Sequence, residues 1–274
     1  MTPAETPTRL DVAARRLFGI LHDATTPRAG AVIVHPFAEE KKFSYRVLVN
    51  LSRALAERNV ATLRFDLSGC GDSAGDSSES TLEHWKEEVL AAARHLREQL
   101  PDVPQVLIGI RLGATLALSV AGGISPAAKL VLWEPILSGK TYVDAVLRRR
   151  MIKEMMTTGK KATGREKVLA QLEADGFLDL DGIAINRRMI EEISALEAEP
   201  CVGGFSGDAL LVQIAFNAKV SSGLESLAEK LRDAGSSVET LGIREQAFWD
   251  RVEGVEAKGL IEKTAEWVVS SGIS

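Results

Sequence analysis

Short runs of β-branched and aliphatic residues alternate along the chain with stretches whose apolar positions recur every three or four residues. The run GAVIVHPF (30–37) breaks at a proline and predicts a buried strand. Residues 43–59 then place Val47, Leu51 and Leu55 at helical spacing. Residues 60–75 read as a strand entering a glycine-rich loop. Residues 80–100 read as a long amphipathic helix, with Ser80 as N-cap and Glu83 at capping-box spacing. A strand over 103–110, a mostly apolar helix over 111–123 that ends at glycines, and a strand over 128–135 follow. Between 137 and 206 the alternation stops, and the pattern reads as helices and loops without a clear buried strand. It resumes with strands at 208–216 and 237–243, a helix at 224–235 and a closing helix near 257–270.

Alternating strands and helices predict an α/β architecture, a mainly parallel sheet covered on both faces. The interruption predicts a helical cap, 137–206, inserted into a core built from 1–136 and 207–274. Ligands of such sheets bind beyond the carboxyl ends of the strands, and the cap is expected to lie over that end.

Composition narrows the function classes. The chain has 274 residues, 45% of them hydrophobic and 26% charged, with a formal net charge of -5. That balance argues against a general nucleic-acid binder. No run reaches the length of a membrane span, and the first residues lack the apolar core of a signal peptide. The two cysteines, Cys70 and Cys201, offer no metal-ligand spacing, so no metal or other cofactor is expected and a reduced, cytoplasmic setting is.

The chemistry centres on GIRLG (109–113). A strand, a tight G-x-X-x-G turn and a buried helix form the nucleophile elbow of the α/β-hydrolase fold. A plainer reading is that the two glycines only let helix and sheet pack closely. The central residue is Arg111, and a guanidinium is not a nucleophile. In this fold the order along the chain is nucleophile, acid, histidine. All four histidines (His22, His35, His84, His95) precede Arg111, and the acid position after the strand at 208–216 offers Asn217. By order, all three triad roles are vacant. A cation at the start of a helix instead suits an anion pocket, since free N–H groups and the helix dipole add to its charge. The alternative is an internal ion pair with Glu39 or Glu40 on the facing loop.

The chain resembles the bacterial exosortase A system-associated hydrolase 2 family. The likeness rests on PFAEE (36–40), DLSGCGDSAGD (66–76) and GIRLGA (109–114), with weaker matches at 131–150, 178–190 and QAFWD (246–250). EEKKF replaces the usual E-E-M-N-K, and Gln246-Ala247 replace two prolines. The resemblance implies an α/β-hydrolase fold and an association with exopolysaccharide or protein-export loci.

Other residues complete the candidate site. Oxyanion-hole donors would be the backbone N–H groups of Phe37 and Leu112, which survive side-chain replacement. Cys70, with His35 as base, is a candidate thiol nucleophile, weighed against a small buried filler. Asp72 and Ser73 are expected to brace the glycine loop. Trp133, Phe248 and Trp249 are candidate pocket walls, with core packing favoured for Trp133. Residues 148–167 carry eight basic residues against two acidic, either a solvated face or a steering surface for an anionic partner. Two functions follow: an acyl-processing enzyme centred on Arg111, Glu39 and Glu40, or a non-catalytic protein that binds a small anionic or acyl-type ligand. Homo-oligomerisation stays open.

Overall fold

The computed structural model describes residues 4–124, 128–158, 165–180, 182–251 and 254–270. In chain order its elements are β1 (Glu5–Val12), β2 (Arg15–His22), β3 (Ala29–Val34), α1 (Glu39–Ala56), β4 (Val60–Phe65), α2 (Leu82–Gln99), β5 (Gln105–Ile110), α3 (Leu112–Ala121) and β6 (Lys129–Trp133). The segment that follows holds α4 (Gly139–Thr158), α5 (Arg165–Asp175), β7 (Phe177–Leu180), β8 (Ile183–Asn186) and α6 (Arg187–Ser194). The chain then returns with β9 (Asp208–Ile214), α7 (Ser222–Asp233), β10 (Ser237–Ile243) and α8 (Lys258–Ser270).

Eight strands form one sheet in the order β1-β2-β4-β3-β5-β6-β9-β10. All neighbours from β4 to β10 are parallel, while β1 pairs with β2 and β2 with β4 antiparallel. Side chains of the central strands alternate between the two faces. Ala31, Ile33, Ile108, Val131 and Trp133 join α1 and α8 in one core. Val32, Val34, Leu107, Leu130 and Leu132 join α2, α3 and α7 in the other. Burial on both faces explains why these strands read as continuous apolar runs.

The inserted segment shares the second core. Tyr142, Leu147, Leu178, Ile185 and Ile193 belong to the same buried cluster as α2 and α3. It is also pinned by polar contacts. The Glu192 carboxylate accepts from Leu82 N at the start of α2 (2.7 Å), and Asn186 Nδ2 donates to the carbonyls of Ser78 and Ser80 (2.7 and 2.9 Å).

Three sequence expectations are corrected. The segment 137–206 contains a two-stranded antiparallel hairpin, β7 with β8; each strand has only four residues, too few for a periodic signal. The hairpin β1–β2 at the sheet edge was not expected: β1 is polar-rich and largely exposed, whereas β2 is mostly apolar and only one of its residues is exposed. Thr81, not Ser80, caps α2: its hydroxyl accepts from His84 N (3.2 Å), while Ser80 Oγ donates to Ser68 O (3.0 Å). Of the basic run 148–167, residues 159–164 lie outside the described residues.

The elbow glycines answer to close backbone approach. A Cβ on Gly113 would collide with the carbonyl oxygens of Val34 and His35, and one on Gly109 with Ala114 and the Gly113 carbonyl. The turn therefore presses α3 against the end of β3 as well as folding back on itself. Gly113→Ala is expected to cost about 1–3 kcal/mol of stability. Gly203→Ala, with nothing within 4 Å of its Cβ, should stay within about 0.5 kcal/mol. Denaturant melts of both variants check the contrast.

Candidate functional site at the strand ends

Three residues with a side chain adopt positive φ at the carboxyl ends of the neighbouring strands β3, β5 and β6: Ala38 (51°), Arg111 (56°) and Glu134 (48°). Each such conformation costs on the order of 1–3 kcal/mol and persists only where the surroundings over-determine it. At Arg111 they do. Its N–H donates to Trp133 O (2.9 Å), and its carbonyl accepts from Ala114 N (3.0 Å) and Thr115 N (3.3 Å). Likewise, Glu134 N–H donates to Val212 O (2.9 Å).

This turn aims the Arg111 side chain under the inserted segment. The guanidinium carbon lies 5.0 Å from the Trp249 ring centroid and 5.8 Å from that of Tyr142, a cation between two aromatic faces. Its charged partner is Glu40 in the first turn of α1, and the side chains are 19% and 3% exposed. Arg111 reaches Glu40 only at 3.5 Å, through both Nε and Nη2. The carboxylate is held more closely from above: Arg149 Nη2 stands 3.0 Å from Oε1 and Tyr142 Oη donates to Oε2 at 3.1 Å, both from α4. Tyr142 and Arg149 lie seven residues apart, so one helix face delivers both. Burial pushes the Tyr142 phenol well above its ordinary range, and the Glu40 charge adds to this. Burial pulls the Arg149 guanidinium down, but its bond to Glu40 outweighs this and the net shift is upward.

Glu134 stands on the other side. Its Oε1 accepts from Ile214 N (2.5 Å) and Gln213 Nε2 lies within 3.3 Å. Burial raises its carboxyl, opposed by the Ile214 bond and by the charge of Arg111. Among the described residues, the N–H groups of Phe37 and Leu112 have no hydrogen-bond acceptor. A cavity of about 40 Å³ under the cap is lined by Phe37, Glu40, Tyr142, Arg149 and Lys153 among others.

The remaining expected residues lie elsewhere or do other work. Glu39 pairs with Lys153 (3.1 Å) rather than Arg111. Phe248 stands edge-on to both Trp133 (6.3 Å) and Trp249 (5.3 Å). Of the three rings, Trp249 is the one stacked near Arg111; Trp133 is fully buried and donates to Thr264 Oγ1 (3.0 Å), a core role. Asn217 is exposed and accepts from Lys219 N (3.1 Å), an Asx turn that spends its side chain on local backbone. His35 is buried, with Nδ1 2.8 Å from Pro36 O and Nε2 accepting from Leu67 N at 3.3 Å. Both ring nitrogens are thereby committed, and no hydrogen bond joins His35 to Cys70 among the described residues. Burial raises the Cys70 thiol to about 11, which removes the thiolate a nucleophile needs. Ser73 does brace the glycine loop, through Phe18 N and Asp66 O, and Asp72 does so by donating its backbone N–H to Asp66. Sequence reasoning missed Tyr142, Arg149 and Glu134. The first two carry a signal, an aromatic and a cation seven apart on a cap helix; Glu134 carries none beyond its place at a strand end.

His22 and His35 both have imidazole pKa values lowered to about 4, in each case chiefly by burial and next by a neighbouring cation, Arg64 or Lys41. The folded form therefore refuses protons that the unfolded chain accepts between its ordinary 6.5 and about 4. This contribution to stability is complete above pH 6.5 and disappears as pH falls toward 4. Imidazole NMR titration is expected to find both rings neutral at pH 5. A ring that gains its proton near 6.5 would contradict their burial.

Comparisons with known proteins agree with this architecture. The family described as serine aminopeptidase, S33 (Hydrolase_4) matches residues 25–204. The palmitoyl-protein thioesterase ABHD10 of Homo sapiens, a mitochondrial protein, is 46% identical over 61 residues, and that of Mus musculus 38% over the same length. These stretches are 22% of this chain and 19% of each relative, so the chain spans about one fifth of the length of the curated relatives it matches. Among solved structures, Est1E of Butyrivibrio proteoclasticus with bound ferulic acid superposes with a TM-score of 0.65 at 18% identity, covering 96% of this chain and 98% of that one. The mouse alpha/beta hydrolase domain-containing protein 10 gives 0.60 at 16% identity, covering 96% and 98%. At such identities the likeness establishes the fold: an α/β hydrolase. The matched stretch runs from just before β3 through the cap and includes the elbow, and the chain belongs to the serine aminopeptidase S33 family of α/β hydrolases.

Proposed function

We propose that this α/β hydrolase has given up serine-based chemistry and binds a small carboxylate or acyl-type anion between the elbow and the cap. Arg111 is the cation that meets the ligand. The observation that carries the reading is how loosely Arg111 is held. Glu40 is satisfied by Arg149 and Tyr142 at ordinary hydrogen-bond distances, whereas its contacts with Arg111 are both 3.5 Å. Arg111 Nε is buried with no hydrogen-bond partner. A buried donor left unmade is costly, and a ligand oxygen would relieve that cost. The N–H groups of Phe37 and Leu112 add two donors that never depended on a serine. Glu40 keeps Arg111 oriented, and Trp249 and Tyr142 shield the pair from water, which strengthens each interaction. With no histidine after position 111 in this sequence, no imidazole stands in the usual place to activate a hydroxyl.

A second reading, an acyl-processing enzyme, is favoured by one observation. Glu134 is a half-buried carboxyl, raised by that burial, on a strained turn at a strand end. Perturbed carboxyls of this kind suit proton transfer. The esterase and thioesterase names of the relatives point the same way. A cytoplasmic setting and an association with exosortase loci belong to the same proposal and rest on the motifs at 36–40, 66–76 and 109–114.

Calorimetry with acetate, butyrate and benzoate separates these readings when paired with p-nitrophenyl ester assays and a serine-directed fluorophosphonate probe. Binding is expected for at least one carboxylate and should fall at least roughly tenfold in Arg111→Ala, in line with loss of a charged hydrogen-bond partner. No labelling and no ester turnover are expected. Turnover that survives Arg111→Ala would place the site elsewhere. Turnover lost in Glu134→Gln with unchanged carboxylate binding would favour the second reading.

A further inference from the structure

We propose that a second pocket, between α1 and the strands β2 and β4, binds a monocarboxylic acid with an apolar or aromatic body. Its anchor is Arg64. This residue pairs in register with Ile20 of β2 and Ile33 of β3, on the sheet face that α1 covers, where Ile33 belongs to the core. Strands buried on both faces normally fill such positions with aliphatic residues. The arginine is half-buried and held from two sides. Its Nε donates to His22 Nε2 (3.0 Å), and the guanidinium carbon lies 5.4 Å from the Tyr45 ring centroid. Neither partner supplies a countercharge, because the His22 imidazole is lowered to about 4 and stays neutral. Glu5, whose carboxyl feels the Arg64 charge, is bonded to Arg53 (2.7 Å). Among the described residues, Arg64 has no carboxylate at ion-pair distance and its two Nη groups have no acceptor. A partly desolvated guanidinium without an anion is costly, and its open pair of Nη donors matches the two oxygens of a carboxylate.

The surroundings select the rest of the ligand. A cavity of about 60 Å³ lies beside Arg64 and shares no wall residue with the one at Glu40. At about 15 Å³ for each water-sized volume, it takes a carboxyl group and a short stem. Phe18, Ile20, Ile33, Leu48 and Phe65 line it, which suits a hydrocarbon stem rather than a hydroxylated one. A groove of about 650 Å³ shares Lys41 and Tyr45 with this cavity, so the ligand's body can lie along the exposed Tyr45 ring. Charge fixes the head group. The walls of cavity and groove carry Arg64, Lys41, Lys42 and Lys153 against Asp66, Asp72 and Glu39. Lys41 is paired with Asp66 (2.6 Å) and Lys153 with Glu39 (3.1 Å). Arg64 and Lys42 are left against the exposed Asp72, an excess of one positive charge among the described residues. A carboxylate supplies one negative charge, whereas a phosphomonoester brings roughly 1.5–2.

Imidazole NMR locates the ligand, because His22 is bonded to Arg64 while His84 and His95 lie on α2. Titration with phenylacetate is expected to shift the His22 resonances with a Kd on the order of 1 mM, and to leave those of His84 and His95 in place. Acetate, without the apolar body, should bind roughly tenfold more weakly. The neutral isostere 2-phenylethanol should leave His22 unmoved. Arg64→Lys keeps the charge but loses the fork, and should weaken binding roughly tenfold. Tyr45→Ala, at an exposed position, should weaken it about threefold, and Asp72→Asn should tighten it about twofold. Should Arg64→Lys fail to fold, the Tyr45 and Asp72 variants decide. His22 resonances that stay in place at about tenfold the expected Kd would overturn the proposal. So would phenyl phosphate binding more tightly than phenylacetate, or Tyr45→Ala and Arg64→Lys proteins that bind as wild type does. A His22 shift lost in Arg111→Ala but kept in Arg64→Lys would also overturn it, since the elbow would then hold the ligand.

Discussion

A carboxylate 3% exposed to water needs compensation from several sides at once, and Glu40, on α1, finds it from two segments far from it in the chain. The first turn of α1 supplies the charge, the elbow supplies Arg111, and α4 supplies Arg149 and Tyr142. Each of these segments is fixed by other means: α1 by its core face on the sheet, the elbow by its backbone hydrogen bonds, α4 by its apolar face. The charge cluster then makes their relative placement mutually dependent. Taking one partner away from such a cluster typically costs about 3–5 kcal/mol, because the remaining charge stays buried. α4 and the turn at Arg111 thus behave as one unit around a single carboxylate.

The same constraint bears on the turn at Arg111. The strained turn at Arg111 is a property of the backbone, set by Gly109, Gly113 and the close approach of α3 to β3. The arginine lies between Trp249 and Tyr142, and meets Glu40. What the turn offers is positional: a fixed cation, two nearby backbone donors and a small cavity.

Much of the fold was legible because its causes are local. Buried parallel strands announce themselves as apolar runs, as in AVIV at 31–34 and VLIGI at 106–110, and α3 as an apolar helix between glycines. The exceptions have physical reasons. β1 lies at an exposed edge, where composition is polar, and β7 and β8 are too short to show a period. The cap of α2 moved one residue because Ser80 found a better acceptor in Ser68. In the site, Glu40 as partner to Arg111 was one of two readable options, separated from Glu39 by the helix turn that faces them differently. Tyr142 and Arg149 share a readable helical spacing, but their role depends on how α4 docks, which that spacing does not encode. Asn217 looked like a vacant acid position, yet it turns its side chain back on its own loop.

The most direct test is a double-mutant cycle on Arg111→Ala and Glu40→Gln, read by equilibrium denaturation. If the elbow cation and the α1 carboxylate share one buried charge cluster, the two changes are coupled by about 1–2 kcal/mol, as expected for residues in one ion-pair network. Strict additivity, with each change costing the same whether or not the other is present, would contradict the account.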